Sequence, residues 1–220
     1  MPGHRHALVI KKQQIENNLI GLFAAVMDAM DQAVSCLAGG DKAICKTIIE
    51  HDVEINNTRY LVEEECLTAI ALHQLVADDL QGVVAATRIA GELERIGDYA
   101  SDIASIIMQM TDTDLSEVGI ADLLKISSLC ANMMDEILAA YREKNAERAI
   151  TAAKIDDEID AEHAKLIEKL FSTMQSRPDI VPDASRMLWI SHILERYGDH
   201  LTNIAEQVVF ITEARVVELG

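Results

Sequence analysis

Two pairs of acids stand out in the second half of the chain: Asp156 with Asp160, and Glu195 with Asp199, each pair four residues apart. On a helix that spacing puts both carboxylates on one flank, one above the other. Oxygen atoms so placed can close on a common cation. An all-oxygen set without cysteine suits Mg, Ca, Mn, iron or, less often, Zn. The first half carries a similar set in Asp52, Glu94 and Asp98, with Asp102 one turn further on and Asn203 in the matching place of the second half. A solvated acidic face explains such spacing equally well, because a like-charge i, i+4 pair costs only about 0.2–0.5 kcal/mol.

Two positions tip that balance. Asp52 interrupts an apolar heptad seam made by Cys45, Ile48, Ile55, Val62, Cys66 and Ala69. Asp156 interrupts the corresponding seam of Ala149, Ala152, Ile159, Leu166 and Leu170. A carboxylate drawn toward a core must be paired, protonated or bound to a cation, since an unpaired buried charge is very costly. Arg59, Arg95 and Arg196 are the candidate ion-pair donors. Arg59 is replaced by His163 in the second copy and Arg95 points away from the apolar stripe of its helix, so neither is expected to serve as a partner in both halves.

The elements that must position these acids are themselves repeated. The stretch ELERIGDYASDIA (92–104) returns as ILERYGDHLTNIA (193–205), with Leu-Glu-Arg-x-Gly-Asp in both. An offset of 104 sets Asp52 on Asp156 and Asn56 on Asp160; an offset of 101 sets Glu94 on Glu195, Gly97 on Gly198 and Asp98 on Asp199. Apolar residues at three- and four-residue steps predict helices over about 8–37, 42–73, 76–110, 120–142, 146–174 and 184–213. Asp41 is the expected cap of the second, Thr113 or Ser116 that of the fourth, and 175–185 reads as a loop. Nothing reads as strand. The expected fold is therefore all-α: two tandem, sequence-related three-helix bundles, 1–112 and 113–220, with six long helices. Gly97 and Gly198 lie inside helices, where glycine costs about 1 kcal/mol against alanine, so each marks a close approach by a neighbouring group.

Composition excludes several functions. The net charge of −18, from 37 acids and 19 bases, opposes nucleic-acid binding and anionic lipid, and suits cations or a basic partner. Cys36, Cys45, Cys66 and Cys130 show no paired framework and read as reduced core residues. With no signal peptide and no apolar run of about 18 residues, the expected location is the cytoplasm, with membrane association at most peripheral and through partners. No Gly-rich phosphate loop and no nucleophile with its base can be found, so no catalytic residue is expected.

Weaker features complete the reading. His4 and His6 fall in a terminus expected to fray. His51, His192 and His200 lie beside the acids as possible outer ligands, and the methionines read as core filling. Asp160-x-x-His163 is similar to the Glu-x-x-His of di-iron bundles, which sets up an alternative reading, a ferritin-like di-iron carboxylate oxidase or metal store. The first copy has Asn56-x-x-Arg59 there, so that device is not duplicated.

IAGELERIGDYASDIA and ISHILERYGDHLTNIAEQVVFI closely resemble the paired signatures of the PhoU family, and CLTAIALHQLVADDLQGVVAATRIA is similar to the segment leading to the first. The resemblance runs from about Leu19 to Ile211. It implies two similar three-helix bundles and multinuclear iron or zinc clusters held by Glu/Asp-x-x-x-Asp motifs. Here those map to Glu94 with Asp98, Glu195 with Asp199, Asp156 with Asp160, and the partial Asp52 with Asn56. It further implies a non-enzymatic regulator that damps phosphate-starvation signalling, links the ATPase of a phosphate ABC transporter to a sensor histidine kinase, and commonly forms homodimers. Two departures bear on these expectations. Asn56 stands where the family pattern places an acid, leaving the first cluster one charge short. Leu75 stands where the family usually has proline, so the turn between the second and third helices is expected to differ.

Overall fold

The computed structural model describes residues 2–39, 42–73, 75–111 and 116–220, apart from the side chains of 2–5, 116 and 117. Asp41, Thr113, the side chains of His4 and Ser116, and the expected boundary at 112 and 113 lie outside the described residues. Helix α1 spans Pro2–Ser35 and tightens into a 3-10 turn, Cys36–Ala38, that ends at Gly39 in the left-handed region (φ 99°). Helices α2 (Lys42–Leu72) and α3 (Ala77–Gln109) complete the first half. A π turn (Ser116–Ile120) leads into α4 (Ala121–Glu143), followed by α5 (Ala146–Ala153), α6 (Ile155–Ser176), a 3-10 turn (Pro178–Ile180) and α7 (Val181–Glu213). No strand occurs among the described residues.

Six long helices were expected and six are found among the described residues, with two local corrections. The fifth stretch is broken at Lys154, whose ψ of −13° opens the ladder of backbone hydrogen bonds and separates α5 from α6. The last helix begins at Val181 rather than Ala184. Pro182 sits in its first turn, where the missing N–H has no intrahelical acceptor anyway and the fixed φ favours the helix. The Leu75 N–H donates to the His73 carbonyl at 3.0 Å, its side chain packs on the core, and Val76 after it is extended.

The two seams read from the sequence are buried. In α2 the buried residues are Cys45, Ile48, Ile55, Val62, Cys66 and Ala69. In α3 they include Leu93, Ile96, Gly97, Ala100, Ile103, Ala104 and Ile107. Each large side chain wholly removed from water contributes about 1.5–3 kcal/mol. One apolar expectation needs correcting: 6–38 is by length and composition apolar enough to cross a membrane. The tertiary structure uses it as a core helix, with Leu19, Leu22, Phe23 and Val26 fully buried against other helices.

Within the first half α1, α2 and α3 pack on one another, and within the second α4 and α7 pack with α5 and α6. The halves are not separate beads. α3 lies along α7, α1 meets α4, and one continuous core runs from Ile15 to Val209. The α3–α7 seam is polar at its edge: Arg88 donates to Gln207 (3.3 Å), Asn203 donates to Glu92 (3.2 Å), and Tyr99 meets His200 Nε2 (3.0 Å). Residue numbers rise on one helix as they fall on the other, so the pair is antiparallel. Tyr99 and His200 occupy equivalent places in the two copies. The repeats therefore meet as the subunits of a two-fold dimer do, each offering the same patch to the other.

Candidate carboxylate site

Each half sets two acid-bearing helices side by side, α2 with α3 and α6 with α7. In the second half Asp156 of α6 lies directly over the backbone of α7. A β-carbon on Gly198 would collide with its Oδ1, and would stand 3.2 Å from Ile159 Cδ1. Glycine at 198 is thus the residue that lets a carboxylate approach the helix. Asp156 Oδ1 is buried without a hydrogen-bond partner; Oδ2 accepts from Thr202 at 3.3 Å. Burial, then the charges of Asp160 and Asp199, and more weakly Glu195, push the Asp156 carboxyl up to about 6, against a partial offset from the Thr202 hydroxyl. Glu195 Oε2 is likewise buried without a hydrogen bond, although His192 Nδ1 stands 3.2 Å away. The other three acids named for this half thus act on Asp156, Asp160 from α6 and Asp199 and Glu195 from α7.

The first half is built on the same plan with different contents. Ile55, not an acid, lies over the glycine: a β-carbon on Gly97 would meet Ile55 Cγ2 at 2.8 Å. Asp52 accepts a hydrogen bond from Asn56 Nδ2 at 2.9 Å, while its Oδ1 is buried without a partner. Burial and then the charges of Glu94 and Asp52 raise the Asp98 carboxyl, with Arg95 partly opposing. Burial and Asp52 raise Asp102 as well. Asp102 thus belongs with Asp52, Glu94 and Asp98, a membership its i+4 spacing from Asp98 had already suggested.

The arginines are closer partners than expected. Arg95 lies 3.5 Å from Asp98 and 4.0 Å from Glu94, and Arg196 lies 2.6 Å from Asp199. Arg59 instead pairs with Glu63 at 3.2 Å. Because arginine follows the glutamate in both copies of Leu-Glu-Arg-x-Gly-Asp, its guanidinium reaches i+3 along the helix surface. With Asp98 and Asp199 turned to arginine and Asp52 to Asn56, no group of three or more His, Cys, Asp or Glu among the described residues stands ready to hold an ion. The donor set still fits a hard cation in chemistry. Asp52, Asp156 and Glu195 each keep a buried oxygen without a donor, and all the groups are oxygen ligands. A divalent ion held by Asp156, Asp160, Glu195 and Asp199 would supply the positive charge that these oxygens lack and would tie α6 to α7.

Two hydroxyls escaped the sequence reading. Thr202 and Ser101 are equivalent in the repeat; the first donates to Asp156, and the second has a buried, unpartnered Oγ. The signal was present as Gly-Asp-x-x-Ser/Thr in both copies. Of the histidines, His163 contacts Ser191 through Nδ1 at 2.7 Å, and His200 bridges Glu92 and Tyr99 at the α3–α7 seam. The di-iron alternative needs carboxylates and histidines in the bundle interior. Among the described residues the buried polar or charged ones are Asp183, Ser191 and Thr202, with Asp183 held by Thr111 and Arg186. The fully buried described residues thus include one carboxylate and no histidine.

A doubled three-helix unit with a carboxylate cluster at matching places in each copy defines a class of tandem-repeat, all-helical proteins. The PhoU domain model matches residues 19–107 and again 123–208, and the chain belongs to the PhoU family. It is 27% identical over 216 residues to the phosphate-specific transport system accessory protein PhoU homolog of Streptococcus pneumoniae, covering 98% of this chain and all of that one. To the homolog of the same description from Pseudomonas aeruginosa it is 29% identical over 199 residues, 90% of this chain and 82% of the relative. The crystal structure of the phosphate transport system regulatory protein PhoU from S. pneumoniae superposes with a TM-score of 0.89 at 28% identity, over 96% of this chain and 100% of that one. PhoU from P. aeruginosa gives the same score at 28% identity, over 94% and 99%.

Proposed function

We propose that this protein is a non-enzymatic regulator of phosphate uptake. It acts as a rigid helical adaptor between the ATPase of a phosphate ABC transporter and a sensor histidine kinase on the cytoplasmic side, and holds phosphate-starvation signalling down when phosphate is ample. The observation that carries this reading is the family match in both halves, together with near full-length likeness to relatives that are named accessory and regulatory proteins of phosphate transport. The acidic surface suits basic partner surfaces. A homodimer is part of this reading.

The carboxylates belong to the reading as cation sites, iron or zinc first, with Mg, Mn or Ca as alternatives. Asp156, Asp160, Glu195 and Asp199 form the stronger site, and Asp52, Glu94 and Asp98 the weaker. The role of the ion is structural: it neutralises the acids and fastens helix to helix. Deleting the gene in its host and following a phosphate-starvation reporter at ample phosphate tests the regulatory part. Derepression is expected; unchanged repression would remove it. Elemental analysis of untagged protein beside Glu195→Ala/Asp199→Ala tests the metal part. Equal metal in both would strike the second-half site.

A further inference from the structure

Helix α2 carries two apolar stripes. One is the core seam already described. The other faces water: Ile49, Val53, Tyr60, Leu67 and Ile70 follow one line of the helix, with Val53 57%, Tyr60 59% and Leu67 68% exposed. At about 1.5 Å per residue the line runs roughly 30 Å. Single exposed apolar side chains are ordinary, whereas Val53, Tyr60 and Leu67 recur at seven-residue steps with Asn57 and Glu64 between them, a row that can seat one apolar side chain of a partner helix in each heptad. The second half does not repeat it. The equivalent positions are Ala153, Asp157, Ala164, Phe171 and Met174, so the stripe is not a requirement of the three-helix fold.

The border of the stripe says what covers it. Glu50, Glu54 and Glu64 flank it on one side and are exposed. Glu63 pairs with Arg59 at 3.2 Å, whereas these three have no salt-bridge partner among the described residues. A second copy is a poor occupant. Antiparallel pairing about Tyr60 brings Glu54 of each copy within one helical turn of Glu64 of the other, and like charges facing one another in an interface are repulsive. Lysines and arginines bordering an apolar face would meet the same glutamates favourably.

We propose that the outer face of α2 docks a basic amphipathic helix of another protein, its apolar residues on the Ile49–Val53–Tyr60–Leu67 line and its cations on Glu50, Glu54 and Glu64. This deepens the adaptor reading by naming the chemistry of one partner element. It can fail alone, because the deletion phenotype and the metal content do not depend on it.

The test uses the full chain and a labelled peptide of about three Leu/Lys heptads, beside a peptide of the same composition with the periodicity scrambled. The amphipathic peptide is expected to bind the native protein and the scrambled one is not. Tyr60→Glu/Leu67→Glu should weaken binding by about tenfold or more. Glu50→Gln/Glu54→Gln/Glu64→Gln should weaken it several-fold and flatten its salt dependence. Phe171→Glu, an equally exposed change in the second half, should leave binding as it was. All these side chains are exposed, and far-UV circular dichroism with urea unfolding confirms each variant's fold. Equal binding of the two peptides, or undiminished binding by Tyr60→Glu/Leu67→Glu, overturns the proposal. A native dimer that the same double variant turns into monomer overturns it in favour of self-association. Tyr60- and Leu67-dependent sedimentation with phosphatidylglycerol vesicles overturns it in favour of a lipid surface.

Discussion

The two halves share a backbone plan and differ in what sits on the glycine of the third helix. In the first half Ile55 covers Gly97; in the second Asp156 covers Gly198. A second difference follows along the same helices. Asn56 gives Asp52 an amide donor at 2.9 Å, whereas Asp160 in the equivalent place is another acid, and its charge helps push the Asp156 carboxyl up to about 6. One nitrogen in place of one oxygen thus separates a cluster that partly satisfies itself from one in which the acids repel. Repulsion exerted on the half-buried Asp156 is a cost to the metal-free fold and an attraction for a cation. This is the physical reason the second half is the stronger site in the proposed function.

The largest effect should come from Gly97→Ala. Its methyl meets Ile55 Cγ2, a branched side chain with little freedom at χ1 in a helix. Overpacking there is expected to destabilise by about 1–3 kcal/mol, less up to about 1 kcal/mol regained in helix propensity. Urea unfolding measures it. Gly198→Ala should cost less in metal-free protein, because the obstructing atom is a carboxylate oxygen that can swing away. In metal-loaded protein the order should reverse, since the displaced carboxylate is a ligand. If the two alanine variants behave alike in both states, the contrast between the halves is wrong.

Asp156→Asn sharpens the comparison through pH. The Asp156 carboxyl titrates near 6 in the folded chain and at its ordinary 3.8 when unfolded. Folding therefore binds a proton, so its destabilising contribution is absent below pH about 4, grows between 4 and 6, and is complete above 6. With chelator present, Asp156→Asn should be more stable than the native chain by about 1–2 kcal/mol at pH 7, after allowance for solvent screening at this half-buried place. That gain should vanish at pH 3.5. Urea midpoints across the range check it, and a gain that persists in acid would refute the repulsion account. With metal present the same variant should lose ions from the second half.

The smallest effects are expected from exchanging the distinguishing residue. Asp160→Asn should lower the Asp156 titration and stabilise the metal-free second half by about 0.5–1.5 kcal/mol, the range of an added hydrogen bond. Asn56→Asp should do the opposite to the first half and raise its metal content. Titration followed by carbonyl NMR and elemental analysis read the two. Unchanged metal in both variants would mean that the amide does not distinguish the sites.

Much of this was legible in the residues. Heptad spacing named the buried faces of α2, α5 and α6, because burial of one stripe is what a 3.6-residue period selects. The repeat named the paired helices, and the interior glycines announced a close approach. Local chemistry was harder to read. The break at Lys154 and the early start of α7 at Val181 depend on backbone geometry that propensity does not resolve. The pairing of Arg95 and Arg196 with the acids was under-read because a long flexible side chain can reach along a helix in several directions.

By itself, then, the sequence determined helix identity, the duplication and the set of acids, since each follows from spacing along one chain. Only the tertiary structure decided that α3 and α7 pack antiparallel in one shared core, and that Ile55 covers Gly97 while Asp156 joins Ile159 over Gly198. It alone left the Ile49–Leu67 line facing water. Those outcomes depend on how separate helices rotate against one another, a degree of freedom that no spacing within a single helix records.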